Sequence, residues 1–153
     1  MMSLTAVQIS ELTAQFFLAA AGTLSFAILF ACPRRCLPYC ALVGAVGWLG
    51  YELLTLLGAD AATASLLAVI PLTILTRVFA ITQKTPVTVF LLTGIFPLVP
   101  GAGIYYTAYY FLQGEEALFA SKGAETFKVA LALALGIALV CSLPLPGSHE
   151  PKK

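Results

Sequence analysis

Val87-Thr88-Val89-Phe90-Leu91-Leu92-Thr93-Gly94-Ile95-Phe96-Pro97-Leu98-Val99-Pro100-Gly101-Ala102-Gly103-Ile104-Tyr105-Tyr106 opens an apolar run that continues to Leu112. Two prolines and two glycines fall between residues 97 and 103, where the midplane of a bilayer should lie if the run crosses one. Lipid offers backbone N–H and C=O groups no hydrogen-bond partner, so such a break persists only where it is buried in protein or lines a polar cavity. Transporters place substrate at breaks of this kind.

The rest of the chain fits a membrane solvent. Of 153 residues, 60% are hydrophobic and only 10% charged, and the mean hydropathy is +0.97. Soluble domains carry about 25% charged residues. A crossing helix needs about 20 mostly apolar residues, and five stretches supply them, at about 14–31, 39–57, 61–79, 87–112 and 127–145. Leu and Ala alternate over 131–135 as in a strand, but an open strand cannot stand in lipid, so this stretch also reads as helix. The expected fold is therefore an all-α polytopic membrane protein with five transmembrane helices, the fourth broken at a Pro-x-x-Pro-Gly motif. Residues 1–147 form one transmembrane domain, and 148–153 a polar cytoplasmic tail.

Lys and Arg are enriched in cytoplasmic loops. Arg34 and Arg35 follow the first run, Arg77 and Lys84 flank the third connection, and Lys152 and Lys153 end the sequence. All six fall on one side. The other side holds Glu11, Asp60, Glu115, Glu116 and Glu125, with Lys122 and Lys128 as its cations. This asymmetry predicts an N-out, C-in chain. Leu29-Phe30-Ala31-Cys32 loosely resembles a lipoprotein cleavage site, but no cation precedes Arg34 and two follow the run, so the first helix is expected to be retained.

The remaining motifs exclude more than they assign. A net charge of +1 without a basic tract gives no reason to expect nucleic acid as a partner. Cys32, Cys36 and Cys40 recur every four residues, yet Pro33 and Pro38 interrupt a single helical face, no His is near, and the spacing matches no common zinc pattern. No metal or other cofactor is expected. Cys141 reads as a small apolar packing residue, and His149 as solvated in the tail. Gly44, Gly47 and Gly50 lack the βαβ context of a nucleotide fingerprint. With no Ser, Cys or His constellation, the chain does not read as an enzyme.

The chemistry concentrates at the break. Pro97 and Pro100 lack N–H groups and should free the carbonyls of Thr93 and Phe96. Gly101 and Gly103 permit close approach of a ligand or another chain. A helix resuming near Ala102 presents unpaired N–H groups and its positive dipole end to the membrane interior, which suits a carboxylate. Tyr105 and Tyr106, followed by Tyr109 and Tyr110, bring hydroxyls into its first turns. The alternative is a Pro-kinked helix satisfied by its neighbours, with the tyrosines packing or marking the interface. Glu52 is the one carboxylate inside a span and therefore a candidate for proton coupling. Arg77 should snorkel to the cytoplasmic interface and should not reach Glu52. Gly44 and Gly47 on the second span, and the row Ala130, Ala134 and Ala138 on the fifth, mark close helix contacts, within the chain or with another subunit.

Two motifs resemble one family. Phe26-Ala27-Ile28-Leu29-Phe30 with Pro33-Arg34-Arg35, then Cys40 to Trp48, looks like the start of the small integral membrane subunit of the bacterial threonine/serine exporter family. Pro97, Pro100, Gly101 and Tyr105 are similar to its proline-proline-glycine and tyrosine signature. Tyr106 falls where many members carry a basic residue, a departure that leaves no charge there. Glu52 matches no family motif. The resemblance covers roughly residues 26–145. It implies a chain that works with, or is fused behind, a larger membrane subunit in the bacterial inner membrane to export small polar metabolites, threonine and serine or a dicarboxylate such as succinate.

The sequence thus predicts a secondary-exporter subunit for small carboxylate-bearing solutes. Its path would be lined by Thr93, Pro97, Pro100, Gly101, Gly103, Tyr105 and Tyr106, and its partners would be the larger subunit, the solute and the lipid bilayer. The rival is a non-transporting assembly subunit that stabilises a larger transporter. An oppositely oriented five-span partner would make the pair an inverted repeat around a midplane site.

Overall fold

The computed structural model describes residues 6–143, with side chains from residue 9. All of its regular structure is helical among the described residues. The helices are α1 (Ala6–Leu29), α2 (Leu37–Leu56), α3 (Ala61–Gln83), α4 (Val87–Ile95), α5 (Gly101–Gln113) and α6 (Glu116–Ser142), with short 3-10 turns at Arg34–Cys36 and Phe96–Leu98. α1, α2 with its leading turn, α3 and α6 are each long and apolar enough to cross a membrane. α4 and α5 make a fifth span as a pair, bent by 58° at the break. The chain is a multi-pass membrane protein.

Local chemistry sets the ends of these helices. Ala31 turns left-handed at φ 53 after α1, the Cys32 N–H reaches back to the Ala27 carbonyl at 3.0 Å, and Pro33 prevents continuation. Gly58, at φ 89, closes α2 in the same way, with the Ala59 N–H on the Leu54 carbonyl. Asp60 caps α3: its Oδ2 accepts from the Ala62 and Thr63 N–H groups at 3.2 and 3.3 Å, and its Oδ1 from the Thr63 hydroxyl at 2.6 Å. Those bonds hold its carboxyl below the ordinary value of 3.8. Pro71 sits inside α3 without ending it, as neighbouring helices allow in membranes.

Two ends differ from the sequence expectation. α1 begins at Ala6 rather than near 14, and α6 at Glu116 rather than near 127. Hydropathy locates the lipid-embedded part of a helix, whereas charged residues such as Glu116 and Lys122 continue a helix without penalty once it leaves the apolar zone. The tail, with His149, Lys152 and Lys153, lies outside the described residues.

The core runs between α2, α3, α4 and the second half of α6, through Val43, Val69, Leu72, Leu98, Val129 and Leu133. Backbones approach closely there. A Cβ on Gly44 would sit 1.9 Å from the Thr23 Oγ1, one on Gly47 2.4 Å from the Leu72 Cδ1, and one on Gly136 2.2 Å from the Val69 Cγ1. Gly136 is thus the small residue that lets α6 meet α3. The row Ala130, Ala134 and Ala138 is exposed, because the packed face of α6 is Val129, Leu133, Gly136 and Val140; the row makes no buried contact within the chain. Cys141 follows that face and is likewise exposed, so it is not an internal packing residue. Cys36 and Cys40 are buried together with Ala27, Ala80 and Phe90, and Cys32 packs against them. The prolines therefore do not separate the three thiols. Burial pushes the Cys32 thiol above its ordinary value, which favours the thiol over the thiolate. The Arg77 guanidinium reaches across from α3 and donates to the Val140 carbonyl. It thereby satisfies one of the last carbonyls of α6 at the negative end of that helix, and no ion pair joins it to Glu52.

Candidate site at the break of the fourth span

The nine residues of α4 and the three of the turn that follows rise about 18 Å at about 1.5 Å per residue, a little beyond half of a hydrocarbon core about 30 Å thick. Three features stop the helix there. Pro97 sits within the 3-10 turn, Val99 is extended at φ −62, ψ 129, as a residue before proline must be, and Pro100 has no N–H to continue the ladder. The Val99 N–H bonds the carbonyls of Ile95 and Phe96 at 3.2 and 3.3 Å. The Phe96 carbonyl, expected to be free, is therefore occupied by the 3-10 turn. Phe96 is also held from α1, its ring stacked on Phe26 at 4.1 Å.

α5 begins without a side-chain cap. The Pro100 carbonyl accepts the Ile104 N–H, and the Gly101 N–H turns back to the Val99 carbonyl at 2.7 Å. The N–H groups of Ala102 and Gly103 have no partner among the described residues, so two donors and the positive end of a thirteen-residue helix are left unpaired.

These donors border a cavity of about 410 Å³, the size of a small-molecule pocket, typically about 300–1,000 Å³. Its floor is the break, from Pro97 to Gly103, and Tyr106 closes one side. Trp48 and Tyr51 enter from α2, Ser65 from α3, and Lys122, Glu125 and Thr126 from α6. Trp48 is fixed by its indole N–H, which donates to the Gln15 Oε1 on α1 at 3.1 Å. Lys122 and Glu125 pair at 2.8 Å, one turn apart on α6. The Ser65 Oγ is buried and has no hydrogen-bond partner among the described residues.

The residues expected along the path separate into two groups. Pro97, Pro100, Gly101, Gly103 and Tyr106 line the cavity. The two glycines differ: a Cβ on Gly101 would meet open space, whereas one on Gly103 would lie 2.4 Å from the Thr126 Oγ1. Gly101 faces the cavity, and Gly103 lets α5 touch α6. Thr93 does not reach the cavity; it is buried one turn below, its hydroxyl donating to the Val89 and Phe90 carbonyls at 2.9 and 3.2 Å. Tyr105 points outward, 63% exposed and stacked on Tyr109. The helix turns about 100° per residue, so only one of two adjacent tyrosines can face inward, and it is Tyr106. Glu52 is half-buried, outside the cavity lining, and forms neither a hydrogen bond nor an ion pair among the described residues.

Ser65, Trp48 and the Lys122–Glu125 pair are the additions of the structure. Five charges fall within 115–128, and a Lys and a Glu three apart among them was a readable signal. It was masked by assigning 113–126 to a loop, whereas the helix there projects both groups at the break. The family model described as "Threonine/Serine exporter, ThrE" matches residues 15–143, from within α1 to just past the end of α6. No solved structure matches the chain.

Proposed function

The chain belongs to the threonine/serine exporter family, and on that premise we propose that it is the membrane subunit of a two-component secondary exporter of small, polar, carboxylate-bearing metabolites. The observation that carries the reading is the cavity at the break, floored by the uncapped start of α5. Unpaired N–H groups at a helix N-terminus favour a carboxylate, and discontinuous helices of this kind bind anionic groups near the bilayer midplane. Pro97, Pro100, Gly101 and Tyr106 form the path. Gly103 supports it from behind, Thr93 braces α4 below it, and Tyr105 faces outward.

The second component is a larger membrane subunit. α5 buries no residue in this chain and exposes Ile104, Tyr105, Tyr109 and Leu112, an apolar and aromatic face suited to a protein neighbour within lipid. The chain is oriented N-out and C-in in the bacterial inner membrane by the positive-inside rule. Coupling is to protons or to the solute gradient. Glu52, half-buried on α2, is the carboxylate to test for a proton-coupled role.

The deciding experiment is efflux of labelled serine, threonine and succinate from vesicles holding this chain with and without the larger subunit. Efflux that requires both chains is the expected result. A stable complex that moves none of the three makes this chain an assembly subunit, and a reporter fusion placing the N-terminus inside overturns the orientation.

A further inference from the structure

We infer that Lys122 and Glu125, together with Ser65, are the specificity-determining residues of this cavity, and that the ion pair is opened and replaced by a solute carrying both a carboxylate and an ammonium. The inference rests on the exporter reading and deepens it by assigning the residues that read the solute's charge.

The cavity lining contains one cation and one anion, and they are paired with each other at 2.8 Å. The pair is weak. Its side chains are 44% and 57% exposed, and exposed pairs at this spacing contribute little because solvent screens them and two long side chains must be held still. Opening it therefore costs little, and a zwitterion restores both charge contacts: its carboxylate takes the Lys122 ammonium, and its ammonium takes the Glu125 carboxylate. A dicarboxylate satisfies Lys122 but confronts Glu125 with a like charge.

The carboxylate end has further support. The unpaired N–H groups of Ala102 and Gly103 open on the same space. Across from them, Ser65 is 1% exposed, lines the cavity and leaves its Oγ with no partner. A helical serine ordinarily returns its hydroxyl to a carbonyl of its own preceding turn, as Thr73 does in the same helix. A buried hydroxyl left unpaired is costly, and a bound solute oxygen removes that cost. Ser65 is a positioning donor, and Glu125 selects for the ammonium.

The test is binding to the full-length chain in lipid nanodiscs of two solutes that share a carboxylate and a hydroxyl, serine and 3-hydroxypropionate, which lacks the ammonium. The unmodified chain should prefer serine by about tenfold or more, the scale of one hydrogen bond between charged groups. In Glu125→Gln that ratio should collapse toward one through loss of serine affinity. In Lys122→Met both solutes should weaken together, and in Ser65→Ala both should weaken by a smaller factor. Glu125 is exposed, so its variant should melt at the unmodified temperature, which separates recognition from folding. Equal binding of the two solutes by the unmodified chain, or an unchanged ratio in Glu125→Gln, overturns the proposal. Parallel efflux separates the two readings: transport of serine with an unchanged ratio removes this inference and keeps the exporter, whereas selective binding without transport by the two-subunit complex keeps the inference and removes the exporter.

Discussion

α4 and α5 are two halves of one apolar run, yet Phe90, Thr93 and Gly94 of α4 are buried in the bundle while α5 buries nothing. α4 is the more apolar half, but hydropathy does not by itself account for this difference in burial. The 58° bend does: it carries α5 off the bundle axis, so that its first turns lean on α6 through Gly103 against Thr126 and Gly123 against Thr107. The space vacated between α5, α2 and α3 is the cavity. In a membrane, where lipid is as apolar as a helix face, an exposed apolar helix carries no hydrophobic penalty, and packing is decided by shape and polar contacts. The bundle is thus specified by close fits, and the mobile-solute region by their absence.

The contrast breaks most readily in the bundle. Gly44→Leu drives a side chain into Thr23, whose Oγ1 stands 1.9 Å from the first added atom, and should cost about 3 kcal/mol because the Thr23 side chain is itself fully buried. Thermal unfolding in detergent should show it, while Ala138→Leu on the exposed face of α6 should stay within about 0.5 kcal/mol. Equal losses would mean that the Ala face is also a packed one. Arg77→Met comes next. It removes the donor to the Val140 carbonyl and should destabilise by about 1.5–2 kcal/mol, with amide exchange accelerating at the end of α6 rather than around the cavity.

At the break, the double variant Pro100→Ala with Gly101→Ala should act on flux and not on abundance. Alanine restores the missing N–H and raises helix propensity by about 1 kcal/mol over glycine, drawing α5 into line with α4 and closing the cavity. Efflux should fall by about tenfold or more, a barrier change of at least about 1.4 kcal/mol, at normal complex levels. Loss of the complex instead would favour an assembly role.

Much of this was legible because it follows from chemistry that acts locally. Pro97, Pro100 and Gly101 announce a break whatever surrounds them, and five apolar stretches fix the crossings. What was not legible depends on rotation and on partners distant in sequence. Whether Tyr105 or Tyr106 faces inward follows from the phase of α5 after the bend, which no local rule sets. Ala130, Ala134 and Ala138 form as good a small-residue row as any, and only the position of Val69 makes Gly136 the contact instead. Lys122 and Glu125 looked like loop charges because hydropathy places the start of a span and not the start of a helix.

The smallest expected effect lies where the bundle meets the water, and pH reaches it selectively. Asp60 is exposed, and hydrogen bonds from the Thr63 hydroxyl, then from the Thr63 and Ala62 N–H groups, hold its carboxyl below 3.8. A carboxylate with a depressed folded value contributes stability that is complete above its unfolded value and is lost as the pH falls through the folded one. Melting followed downward from neutral pH should therefore be flat until just above 3.8 and then decline. In Asp60→Asn, which keeps an acceptor for the start of α3 but cannot titrate, that decline should be reduced. A decline of equal size in the variant would assign the acid sensitivity to other carboxylates.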